Sequence, residues 1–166
     1  MESLISGDLS LLAKIFVVAI FPFSALDKVI NWKSALVQAN SSFLPGGPFL
    51  LVLAMIVEIT TPICILSGWY AGIAALVLAG YCAVTGLLYH NFWAYPKFWK
   101  AGEQGYPHIW DFFKNFAIVG ACIFIIQGAN LVSEVQRVEQ ALSSTSMPIG
   151  EKNQLGQREQ DQSFQA

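Results

Sequence analysis

The chain has 166 residues, of which 55% are hydrophobic and 12% charged, with a formal net charge of −2 and a mean hydropathy of +0.53. An average soluble domain is about 45–50% apolar and about 25% charged, so this composition excludes an ordinary soluble globule and a disordered chain. The nine Lys and Arg residues are scattered and form no phosphate-neutralising stripe, which sets nucleic acid aside and leaves the lipid bilayer as the first expected partner.

The first ten residues carry Glu2 and Asp8 and no basic region. No small-residue cleavage site follows, so the first apolar stretch is expected to stay as a helix rather than to be removed as a signal. Four segments then approach or reach the roughly 20 apolar residues needed to cross a hydrocarbon core about 30 Å thick: 9–30, 48–68, 70–90 and 112–132. Turn and interface signals separate them, namely Asn31-Trp32-Lys33, the Pro45-Gly46-Gly47-Pro48 run, Gly68-Trp69-Tyr70 and the stretch 96–107. The runs are continuous rather than alternating, which excludes membrane β-strands.

The expected fold is therefore all-α, a polytopic membrane protein whose residues 1–132 form a four-transmembrane-helix bundle. All five tryptophans fall at segment ends or in connections, as an interfacial belt requires. Nine aromatics crowd residues 92–113, read as a loop in the headgroup zone that either anchors the chain or covers a site. Residues 133–166 turn abruptly polar and are expected to be a disordered tail after one or two exposed helical turns. No internal repeat or second domain is visible. The lysines near the two long connections place those connections in the cytoplasm by the positive-inside rule.

An ionisable group inside a membrane helix costs about 2.5–3.5 kcal/mol on the insertion scale and marks a functional hypothesis with a partner to be named. Glu58 lies near the middle of the second segment, roughly 15 Å deep at 1.5 Å per residue. Four residues on, Pro62 removes the N–H that would bond to the Glu58 carbonyl, and Thr60 and Thr61 offer hydroxyls on the same turn. Glu58 is then either a site carboxylate or a neutral carboxyl shared between helices.

Ser24, Asp27 and Lys28 occupy one face at i, i+3 and i+4. His90-Asn91 closes the third segment and Lys114-Asn115 opens the fourth. Because successive helices alternate in direction, these groups share one membrane face with Glu58 below them, which implies a polar pocket opening toward the long connections. The plainer alternatives are snorkelling for Asp27, Lys28 and Lys114, an interfacial role for His90 and an interhelical hydrogen bond for Gln127. The cysteines Cys64, Cys82 and Cys122 sit in separate segments without a CxxC, and His90 and His108 do not share a helix face, so no haem or metal motif is present.

In this order the residues resemble the DoxX family of small four-helix membrane proteins. Lys14 stands where the family usually has an arginine; Phe23-Ser24-Ala25-Leu26-Asp27-Lys28, Glu58, His90-Asn91-Phe92-Trp93 and Phe113-Lys114-Asn115 follow in register over residues 9 to 132. The chain departs from the pattern at Thr60-Thr61-Pro62, where small glycines are common, and at Tyr70-Ala71, where an arginine is common. The resemblance implies the four-helix fold. Its members include subunits of quinone-reducing and oxidative-stress complexes as well as maturation and assembly factors, so several functions remain compatible with that fold.

The expected function is a redox-associated subunit of the bacterial plasma (inner) membrane, quinone-linked, acting with a partner protein and compatible with a homo-oligomer. In it Glu58 and His90 handle protons as catalytic groups. Lys28, Asn91, Trp93, Lys114 and Asn115 bind a quinone or another small amphipathic ligand, and Lys14, Ser24, Asp27 and Pro62 orient the site. The alternative is a non-catalytic assembly or trafficking factor whose polar cluster specifies helix packing. A transporter is disfavoured because no inverted repeat is seen.

Overall fold

The computed structural model describes residues 2–42 and 44–146, and all regular structure among them is helical. The elements are α1 (Glu2–Val18), α2 (Ile20–Ile30), α3 (Trp32–Ala39), α4 (Gly47–Ser67), α5 (Ala71–Tyr89), a single 3₁₀ turn (Phe92–Ala94) and α6 (Gly105–Ser146). Four stretches are long and apolar enough to cross a membrane: Gly7–Ile30, Gly47–Ser67, Ala71–Ala94 and Gly105–Thr145. The chain divides into two compact units, Met1–Ala129 and Asn130–Ala166.

In the first unit, the segment expected as one helix over 9–30 is interrupted at Ala19. Pro22 is the reason: it has no N–H for the Val18 carbonyl and its ring crowds that oxygen, so α1 ends at Val18 and Pro22 falls in the first turn of α2. Ala19 keeps helical dihedrals and bonds to the Ile15 carbonyl at 2.9 Å, which keeps the two pieces within one span. Pro62 behaves differently. It sits inside α4 without ending it, and the Thr60 and Thr61 hydroxyls turn back to the Ile56 and Val57 carbonyls at 2.8 and 2.7 Å rather than serving the Glu58 turn.

Both long connections are more ordered than expected. The first folds as α3, whose C-terminal end meets Tyr89 of α5: the Tyr89 hydroxyl lies 3.4 Å from the Ala39 carbonyl and 3.4 Å from Ser42 Oγ. In the second, α6 begins at Gly105 instead of 112. Pro107 read as a loop signal in the sequence, yet it lies in the first helical turn, where its missing N–H costs nothing. The aromatics of this region pack on one another around Phe92, whose ring contacts those of Trp93, Phe98, Phe112 and Phe113 at centroid distances of 5.2, 4.9, 5.3 and 6.3 Å.

The core gathers Val18 and Phe21 from the first span, Ile65 from α4, Ala74, Ala75, Leu78, Ala79 and Cys82 from α5, and Cys122 from α6. Its small α5 residues let helices approach closely. This matters because lipid supplies no hydrophobic drive between helices, and close packing must hold them together. Helices α5 and α6 run antiparallel, with Gly86 near Asn115 and Gly72 near Ala129. The outward faces remain apolar, as in Phe23, Ile63 and Phe124. Gln127 is exposed rather than bridging helices.

In the second unit, residues 130–146 are helical and exposed where described. The helix thus runs to Ser146, about four turns past Val132, where one or two were expected. The remainder of the expected tail, 147–166, lies outside the described residues.

A methyl group at Gly105 would meet Tyr95 Cβ at 2.7 Å, Phe98 Cβ at 2.9 Å and the Phe98 backbone at 3.1 Å, whereas one at Gly120 meets nothing within 4 Å. Gly105→Ala is therefore expected to destabilise the purified protein by about 1–3 kcal/mol. Gly120→Ala should be neutral or stabilising, by up to about 1 kcal/mol. Thermal unfolding of both variants in the same detergent reads the difference.

Candidate functional site

Glu58 occupies the middle of α4 and is 2% exposed. Two other helices converge on its carboxylate. From α2, one turn apart on the same face, Lys28 Nζ donates to Oε1 and Oε2 at 2.8 and 3.0 Å and Ser24 Oγ donates to Oε1 at 3.0 Å. From α5, the Tyr81 hydroxyl donates to Oε1 at 2.7 Å. Lys28 also reaches Ser24 Oγ at 2.6 Å. The spacing of Ser24 and Lys28 puts both on the α2 face turned toward α4.

This pairing meets the cost of placing a charge at that depth. A carboxylate and an ammonium taken from water lose hydration worth several kcal/mol each. Close Coulombic contact and further hydrogen bonds must compensate that loss. Both are present here. The arrangement has the geometry of an ion pair supported by two hydroxyl contacts, with one carboxyl group shared among α2, α4 and α5.

Above the network lies a cavity of about 690 Å³ whose lining includes Ser24, Lys28, Glu58 and Tyr81. Its walls are apolar, with Leu50, Leu53, Val57, Val84, Leu88 and Ile118, and α3 contributes Ser34, Ala35, Gln38 and Ala39. Towards the helix ends the lining becomes polar again, with Asp27, Asn31, His90, Asp111, Lys114 and Asn115. Its volume lies within the range of about 300–1,000 Å³ common for small-molecule sites.

The mouth has its own polar cluster. Asp111 Oδ1 accepts from Lys114 Nζ at 3.0 Å, Asp111 Oδ2 is 3.8 Å from His90 Nδ1, and Asn115 Nδ2 donates to the Asp111 carbonyl at 2.9 Å. The Thr85 hydroxyl approaches Asn115 Oδ1 at 3.4 Å. His108 stands 5.8 Å from His90, ring to ring, and stacks on Tyr95 at 4.9 Å. The Nδ1 atoms of His90 and His108 are buried without a hydrogen-bond partner. Asp27, exposed on α2, accepts from Asn31 Nδ2 at 2.7 Å. Among the described residues, no group of three or more His, Cys, Asp or Glu could hold a metal ion.

Of the residues singled out in the sequence, Ser24, Asp27, Lys28, Glu58, His90, Lys114 and Asn115 line this cavity. Asn91, Trp93, Lys14 and Pro62 are not among its lining residues. Asn91 precedes the 3₁₀ turn and its carbonyl accepts from Ala94 at 2.9 Å, and Trp93 packs edge-on against Phe92 and Phe112. Lys28, half-buried in the lining, contacts Glu58 and Ser24. Sequence reasoning missed Tyr81, Asp111 and His108. A tyrosine in the middle of an apolar segment carries a hydroxyl that needs a partner, and that signal was readable for Tyr81. The i, i+3 spacing of Asp111 and Lys114 was another.

Removing one partner of the pair leaves an uncompensated buried charge, whereas removing both does not. Lys28→Met is expected to lower stability by about 3–5 kcal/mol, and adding Glu58→Leu to it should recover most of that loss. Tyr81→Phe should cost about 1–3 kcal/mol. Unfolding in a fixed detergent–lipid mixture measures all three.

Residues 9–91, half of the chain and inclusive of α2, α4 and α5, match the DoxX family model. The chain is also 25% identical over 126 residues to the inner membrane protein YphA of Escherichia coli (strain K12), an alignment that covers 75% of this chain and 86% of that protein. No solved structure matches the chain. With four apolar spans and this match over half its length, the chain is a multi-pass integral membrane protein that belongs to the DoxX family.

Proposed function

We propose that this protein binds a quinone-type molecule in the cavity between α2, α4, α5 and α6 and serves as the membrane subunit of a redox system whose electrons come from a separate partner protein. The observation that carries the reading is the pair of half-buried Lys28 and buried Glu58 lining a cavity of about 690 Å³. An ionisable pair at mid-membrane depth is costly to keep, and here it borders space large enough for a substituted aromatic ring instead of packed side chains. The apolar walls suit a prenyl or alkyl chain, and polar groups at both ends of the cavity suit the two oxygens of such a ring.

Glu58 and Tyr81 are placed to exchange protons with an oxygen at the inner end. His90, with Asp111 and Lys114 beside it, is placed to do so near the mouth. The bacterial inner membrane is the proposed location, following the relative whose name states it.

Titration of the purified protein with a short-chain ubiquinone and its quinol, followed by tryptophan fluorescence and difference absorption, tests the reading. At least one of the pair should bind saturably. Ala54→Phe, which places a ring in the cavity, should weaken binding by about tenfold or more, and Glu58→Gln should also weaken it. No saturable binding, or binding indifferent to both substitutions, would overturn the proposal and favour a polar network that serves helix packing alone.

A further inference from the structure

The C-terminal part of α6 carries a pattern that the cavity does not use. A helix crosses the hydrocarbon core in about 20 residues, whereas α6 has 42. Glu134, Arg137 and Glu139 lie toward its end, where charges call for water. Within 130–146 the large apolar residues Leu131, Val135, Val138 and Leu142 follow one another at spacings of four, three and four, which draws one stripe along the helix, the pattern of a coiled-coil seam. All four are 50–65% exposed, and every residue from 130 to 145 is exposed. Valines and serines are poor helix formers, and a helix of this kind draws most of its stability from packing an amphipathic face. At 3.6 residues per turn, Glu134 lies along one edge of the stripe and Glu139 along the other, while Arg137 falls on the far face.

We propose that the stripe 131–142 docks a helix of a different protein, one that is apolar at the same alternating spacing and carries Lys or Arg along both edges. Charge selects this occupant. In a coiled coil the residues flanking the seam meet across it and set partner choice. A second copy laid parallel sets Glu134 of one chain against Glu139 of the other, and laid antiparallel it sets each glutamate against its own counterpart. Either way acid meets acid, and Arg137 is turned away from the seam. A bilayer surface fits no better, since helices that lie on lipid carry Lys and Arg beside their apolar face. A partner with basic edges converts each repulsion into an attraction, while the apolar seam leaves water. No residue of 130–146 lines the cavity, so this surface stands whether or not the cavity holds a quinone.

The experiment is photocrosslinking in native cells, with the full-length chain carrying benzoylphenylalanine in place of Val138 or, on the far face, of Gln140. Irradiation and peptide mapping then identify what each position touches. The Val138 probe should join a helix of another protein that has apolar residues at alternating three and four spacing with Lys or Arg beside them. The Gln140 probe should join it much less. Glu134→Lys together with Glu139→Lys should lower the Val138 adduct by about tenfold, the worth of two edge pairs turned from attractive to repulsive. Gln136→Lys with Gln140→Lys adds two positive charges on the far face and should leave that adduct unchanged. An adduct to a second copy of this chain, to lipid or to a segment without flanking bases would overturn the proposal. So would no adduct, comparable yields from the two probes, or an equal response to charge changes on the two faces.

Discussion

The Lys28–Glu58 pair joins two membrane spans at a depth where neither charge could stay alone. Stranding either group would cost several kcal/mol, so the register of α2 against α4 is tied to the 2.8 Å contact between them. Tyr81 brings α5 to the same point, with its hydroxyl 2.7 Å from the carboxylate. A single buried carboxylate thus relates three spans that, in lipid, have no hydrophobic reason to choose one register over another.

Other features follow from keeping that network dry and satisfied. The small residues of α5, Ala74, Ala75 and Ala79, allow close packing with the core on the membrane half away from the cavity. On the other half, bulk is withheld and the cavity opens. The first connection folds as α3 and contributes to its lining, while the aromatic rings around Phe92 pack tightly on one another where the second connection leads into α6. Membership of the DoxX family is consistent with the order in which these residues occur along the chain. The function proposed here rests on the donors, acceptors and space that they create.

Much of this was readable before the structure. Four apolar runs and the tryptophans at their ends specify the spans because a bilayer imposes both length and interfacial chemistry. Charges are scarce, so Glu58 and Lys28 stood out, and the alternation of helix direction placed Ser24, His90, Lys114 and Asn115 on the same side of the membrane. What was not readable has local causes. Pro22 ends α1 and Pro107 begins α6, and the sequence alone does not say whether a proline breaks a helix, starts one or, like Pro62, is carried within it. The short amphipathic α3 lacks the length that makes a pattern legible. Tyr81 was hidden because one hydroxyl hardly alters the hydropathy of its segment, although that hydroxyl is what joins α5 to the network. The partners themselves, Lys28, Ser24 and Tyr81 around the Glu58 carboxylate, exist only once the side chains are placed.

The proposed role requires a ligand beside Glu58 rather than on the lipid-facing surface. Photoaffinity labelling in native membranes with an azido-ubiquinone, followed by peptide mapping, tests this most directly. Label competed by unlabelled quinone and mapped to cavity-lining residues of α4 and α5, such as Val57, Val84 and Leu88, is the predicted result. Label confined to outward residues such as Ile63 and Phe124, and indifferent to competition, would contradict it.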